Sequence, residues 1–214
     1  MAKPVGYPVP STVLSGGSLL NNALNLVVNW SEAAVDWVTS VTAGQLEDLR
    51  FPAQAINPPG APSDPSRDTS TGLLNFSATV ANVIAGVAQL PHGRKPDTVL
   101  TPHLHVFCNS SPTAPNDVVR WQLQYRFTNI NGARPAAYTT LTVDHTVAAY
   151  SGGQPIHQIV AWSDIVGTGL TASSMMEWII TRVATNAADN YPGTVALLEF
   201  DVHFTADQLG RPIP

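Results

Sequence analysis

Two histidines one residue apart, His103 and His105, are the sharpest chemical feature of the sequence. Side chains two positions apart on a β-strand leave its same face. Two imidazoles presented in that way can hold a transition-metal ion, but such a site needs further donors from other strands. No Glu follows His105 closely, and the next carboxylate, Asp117, comes only after a turn. Glu199, Asp201 and His203, near the C-terminal end, supply donors if their strand lies opposite the pair. The simpler reading gives His103 and His105 hydrogen bonds at a sheet edge or subunit contact, each neutral ring offering one donor and one acceptor. His92, next to Pro91, takes a similar place in a turn. That simpler reading is adopted here, with no metal site, no cofactor and no catalytic residue expected.

Other chemistries are less well supplied. Asp144-His145 and Ser163-Asp164 offer groups for a hydrolase, but there is no GxSxG elbow. Adjacent strand residues also face opposite ways, so Asp144 cannot readily orient His145. Phosphate-binding glycine loops are missing, and so is a calcium loop of the EF-hand type. The lone Cys108 lies among strand residues and reads as a core filler; it leaves no internal disulfide and fits a reducing compartment. Trp30, Trp37, Trp162 and Trp178 could form a sugar platform, although packing is their commoner use. Trp121 and Tyr125 fall on the apolar face of a strand.

The elements that must position these groups are short. The 15 glycines and 18 prolines in 214 residues favour many turns over long helices. Charged residues make up only 12% of the chain, about half the usual share. Such a surface suits a protein covered by its own copies or by a shell, so a homo-oligomer, dimer or trimer, is expected. The net charge is −5 with no basic run, which excludes a nucleic-acid footprint. No apolar run is long enough for a membrane span, and the first residues read as neither signal nor transit peptide.

Residues 1–17, with Pro4, Pro8 and Pro10, read as an extended N-terminal arm. Residues 18–214 read as a single β-sandwich domain with a long proline-rich loop at 57–72. Within 18–50 the pattern stays open between helix and strand, and 45–52 contributes Leu46, Leu49 and Phe51. Strands are expected at 73–79, 82–90, 99–109, 118–127, 137–145, 156–162 and 194–204. The segment 173–184 fits a helix or a strand, and its β-branched residues favour the strand.

The clearest pattern is VVRWQLQYRF at 118–127, where Val119, Trp121, Leu123, Tyr125 and Phe127 alternate with Arg120, Gln122, Gln124 and Arg126. One face is therefore core and the other wet, as in an antiparallel sheet. Burial of the apolar set contributes about 2 kcal/mol per side chain. In the last strand Leu198, Phe200, Val202 and Phe204 oppose Glu199, Asp201 and His203. The fold class expected is all-β, an antiparallel β-sandwich with jelly-roll or related Greek-key winding.

Five segments carry a resemblance: LEDLRFP at 46–52, QLPHG at 89–93, PHLH at 102–105, the Trp121–Tyr125 alternation, and LLEFDVHF at 197–204. Together they resemble structural proteins encoded by tailed bacteriophages and prophages. The resemblance implies a virion component made in the host cytoplasm, and the lack of a coherent catalytic set among the residues leads to the expectation that it is not an enzyme. Its first form is a capsid decoration or cement protein contacting the major capsid protein. The alternative is a tail or head-fibre module that contacts tail proteins or binds a host surface glycan. A cupin-like metalloenzyme built on His103 and His105 is the third reading.

Overall fold

Alternation in residues 118–127 becomes strand β6, Val118–Thr128, with Val119, Trp121 and Leu123 fully buried. The computed structural model describes residues 45–207. These belong to a compact unit that begins at Gly44. The expected arm at 1–17, the ambiguous stretch at 18–44, Trp30 and Trp37 lie outside the described residues.

The described chain is all-β and its two antiparallel sheets form a sandwich. The remaining strands are β1 Gln45–Pro52, β2 Ser66–Arg67, β3 Leu74–Phe76, β4 Val83–Gln89, β5 Leu100–Cys108, β7 Thr139–Thr146, β8 His157–Ala161, β9 Met175–Arg182 and β10 Val195–Ala206. One sheet runs β2-β3-β10-β5-β8, with β1 also paired to β10, and the other runs β4-β9-β6-β7. In β3 to β10, successive strands mostly cross between the two sheets. Within segment 173–184, Met175–Arg182 is a strand, with Met176, Trp178 and Ile180 buried on one face. The open segment 45–52 is also a strand: its backbone pairs with β10 from Gln45↔Ala206 to Pro52↔Glu199.

Strand β10 organises the larger sheet. Along one edge its first residues pair with β3 and its later ones with β1; along the other it pairs with β5. A bulge between Leu197 and Glu199 shifts the alternation. Leu197 is therefore core, together with Phe200, Val202 and Phe204. Leu198, expected in the core set, instead borders the outer face. Strand β5 carries Pro102 although it is paired on both sides. The Pro102 carbonyl accepts the Trp162 N–H at 3.2 Å. The missing N–H of Pro102 lies on that same side, where β8 has already ended at Ala161.

The sheets lock through aromatic packing. Trp178 of one sheet meets Phe200 of the other edge-on, with centroids 4.9 Å apart, and Phe51 packs against both rings. Gly86 lies beneath Trp178, where any Cβ would collide with the indole. Residues 57–72 are largely loop, as expected, but Ser66–Arg67 adds a short edge strand to β3. The Arg67 guanidinium pins the region by donating to the carbonyls of Ala53, Ile56 and Gly72.

Two arginines are buried, and one of them, Arg126, departs from the wet face expected for it. Arg126 is buried because it donates to Glu177 and to the Pro135 and Ala136 carbonyls, and it stacks over Tyr138 at 4.1 Å. Arg182 is completely buried. It makes a two-pronged contact with Asp189, at 2.8 and 3.1 Å, and donates to the carbonyls of Phe76, Tyr191 and Gly193. This ion pair ties loop 186–193 to both sheets. Asp189→Ala leaves a buried guanidinium uncompensated and is expected to cost about 3–5 kcal/mol. Urea unfolding checks this; a loss below about 1 kcal/mol would show that the Arg182 guanidinium does not depend on Asp189 for compensation.

Candidate functional site

The outer face of the larger sheet collects most of the histidines. Strand β5 is central, so alternate residues face the core (Leu104, Val106) or the opposite side (His103, His105). The sheet-edge placement expected for the pair is not found, because β5 has β10 on one side and β8 on the other. Antiparallel register sets His103 opposite Asp201 and His105 opposite Glu199. Beyond them, Asp201 faces Arg50 and His203 faces Asp48 on β1. On the other flank, β8 brings in His157.

These side chains line a concave site of about 530 Å³. At its floor, Nε2 of His103 lies 3.0 Å from Nε2 of His105. Oδ2 of Asp201 is 3.0 Å from the His105 Nε2 and 3.6 Å from the His103 Nε2. Three potential donor atoms thus converge, within 4.8 Å of one another. The other ring nitrogen of His105, Nδ1, meets Nε2 of His157 at 2.6 Å, and the two rings stack. Of the three donors proposed from the last strand, only Asp201 joins the pair. His203 stacks on His103 with centroids 4.3 Å apart but turns its Nε2 to Asp48 at 3.0 Å. Glu199 accepts two hydrogen bonds from Arg50, at 2.8 and 2.6 Å.

Burial draws the floor groups toward their neutral forms. Desolvation lowers the imidazoles of His103 and His105, with the neighbouring His203 and His157 adding to the effect. Desolvation, reinforced by Glu199 and Asp48, raises the Asp201 carboxyl to about 7. Its Oδ1 is buried and accepts no hydrogen bond among the described residues. Neutral imidazoles have a lone pair to offer, and an under-satisfied carboxylate oxygen has spare acceptor capacity. The arrangement is therefore competent to bind a cation.

The other sequence candidates are dispersed. Asp144 is held by Arg120 in a two-pronged contact, while the neighbouring His145 turns away to Gln158. Asp164 accepts from Thr101, and Asp117 caps the turn at Thr113. His92 contacts Ser173. Burial pushes the Cys108 thiol up to about 11, which leaves it inert as a nucleophile. Trp121, Trp162 and Trp178 are all buried. His157, Asp48 and Arg50 escaped sequence reasoning. Only the short alternation around His157 hinted at a strand, and nothing in it names the neighbour.

No family model matches the sequence, and no curated protein matches it. Solved structures give faint likenesses. A ruminal GH26 endo-β-1,4-mannanase shares 10% identity at a TM-score of 0.34, over 72% of this chain and 25% of its own. A cleaved adhesin domain of Lys-gingipain from Porphyromonas gingivalis shares 13% at 0.34, over 73% of this chain and 97% of its own. The CBM22-1 xylan-binding domain from Paenibacillus barcinonensis Xyn10C shares 12% at 0.27, over 77% and 97%. The chain thus spans a quarter of the mannanase's length. Likenesses of this strength say nothing about what this chain binds.

Asp201 is a costly residue for the protein without a cation, because a buried carboxylate lacks compensation. Asp201→Asn is expected to raise stability by about 1 kcal/mol at pH 8 in chelator. The folded carboxyl at about 7 binds its proton before the unfolded one at 3.8. Its penalty is therefore full above the folded value and fades as pH falls to the unfolded one. Urea midpoints at pH 8 and pH 5 check both points; a variant less stable than the parent at pH 8 would contradict them.

Proposed function

We propose that the chain is a non-enzymatic structural component of a tailed-phage particle. In this reading it is a jelly-roll module of the capsid decoration or cement type. It works by burying surface against copies of itself and against the major capsid protein.

The observation that carries the reading is the outer face of the four-stranded sheet. Across β9, β6 and β7 this face presents Thr181, Gln122 and Thr142 in one row and Ile179, Gln124 and Thr140 in the next. Exposed Ala85 and Val87 extend it on β4. The charges bordering these rows are already paired, Arg120 with Asp144 and Arg126 and Arg134 with Glu177. Both carboxylates are held below their usual range by those guanidiniums. Covering such a face leaves no charge unpaired, and its amides and hydroxyls can exchange water for hydrogen bonds to a partner, so it costs less than covering unpaired charges. Among the described residues, β7 also has no strand beyond it in its sheet, so its outer backbone groups can accept a further strand. A stable contact needs about 800 Å² from each partner, which a four-stranded face can supply. The buried indoles at Trp121, Trp162 and Trp178 take those rings out of any sugar platform and favour this reading over the glycan-binding one.

The test is reassembly. Full chain added to shells lacking it is expected to co-sediment to a saturating stoichiometry. Thr140→Arg combined with Thr142→Arg puts unpaired charge on the face and is expected to weaken binding at least about tenfold, equivalent to about 1.4 kcal/mol. Wild-type chain that fails to occupy the shell would overturn the cement role.

A further inference from the structure

We propose that His103, His105 and Asp201 form a binding site for one divalent transition-metal ion of the zinc class. The inference rests on the floor of the concave site and is independent of the virion reading.

The first argument is distance. Donors around a tetrahedral ion at about 2.0–2.1 Å lie about 3.3 Å from one another. The three donor separations here are 3.0, 3.0 and 3.6 Å. They span that edge length, so an ion fits with shifts of a few tenths of an ångström. The second is donor chemistry. Two imidazole nitrogens and one carboxylate suit zinc, iron, nickel or copper, whereas magnesium and calcium require oxygen donors.

The third argument is the support behind the donors. A ligating histidine ordinarily donates its other ring N–H to a fixed acceptor, which sets the tautomer and aims the lone pair. The His105 Nδ1 has His157 at 2.6 Å for this purpose. His157 is thus a positioning residue. The fourth argument is electrostatic. The buried Asp201 Oδ1 lacks a hydrogen bond among the described residues, and Glu199 and Asp48 add negative potential nearby, partly offset by Arg50. A cation satisfies the orphan oxygen and relieves the repulsion. The protein supplies three ligands, so at least one coordination position remains open toward the concavity, as in zinc sites that keep a place for water or another donor.

The experiment uses the full chain stripped with chelator and titrated with Co²⁺ as the optical probe. The expected result is a visible d–d band that saturates at one equivalent and is bleached by Zn²⁺. His103→Ala, His105→Ala and Asp201→Asn should each weaken Co²⁺ binding by at least about a hundredfold, while His145→Ala, remote from the site, leaves it unchanged. His157→Ala should weaken it about 10- to 100-fold, and His157→Gln, which retains an acceptor for the His105 ring, should restore part of the loss. Asp201→Asn keeps the test sound, because it removes a ligand while preserving the fold. A chain that gives no d–d band at several equivalents of Co²⁺ would overturn the proposal. So would a band that survives all three ligand substitutions.

Discussion

Antiparallel pairing of β5 with β10 is the constraint on which the rest depends. Its register puts Leu104 beside Phe200 and Pro102 beside Val202 on the core side, and His103 beside Asp201 on the other. A slip of one residue would turn both sets over, exposing the apolar side chains and burying the imidazoles. Burial of the core set therefore holds the polar set in place, and the concave site needs no separate scaffold. The strands flanking this pair add the remainder: β8 contributes His157, and β1 contributes Asp48 and Arg50.

The molecule treats its buried ionic groups in two ways. Arg182 and Asp189 are deep, mutually paired and fully supplied with hydrogen bonds. That is the condition under which a buried pair avoids a net cost. Asp201 is buried with one oxygen unsatisfied and with carboxylates for neighbours. Unsatisfied buried polar atoms are rare in native proteins, and they concentrate where function outweighs stability. The contrast between these two carboxylates separates a group whose hydrogen bonds secure the fold from one left with spare acceptor capacity.

Much of this was legible in the sequence where alternation is long. The β6 pattern around Trp121 and the β10 pattern around Phe200 identify half-buried strands, and the spacing of His103 and His105 places them on one face. Four features were not legible, each for a physical reason. The bulge at Leu197 breaks the period of two, and a bulge arises from pairing with β5, so strict alternation misplaces Leu198 in the core. Strand β1 has little alternation of its own and owes its form to the edge of β10. His157 reaches His105 only because β8 lies beside β5, a neighbour relation that local spacing cannot reveal. The burial of Arg126 has the same origin, since Glu177, Pro135 and Ala136 meet it from separate segments.

The most direct measurement is an anomalous difference map from crystals of the full chain grown with Zn²⁺, with data collected on both sides of the zinc absorption edge. The account predicts one strong peak at bonding distance, about 2.0–2.1 Å, from Nε2 of His103, Nε2 of His105 and a carboxylate oxygen of Asp201. It also predicts that the His157 ring still meets the His105 Nδ1. A map with no peak on that floor, or with zinc bound only at surface histidines such as His203, would contradict it.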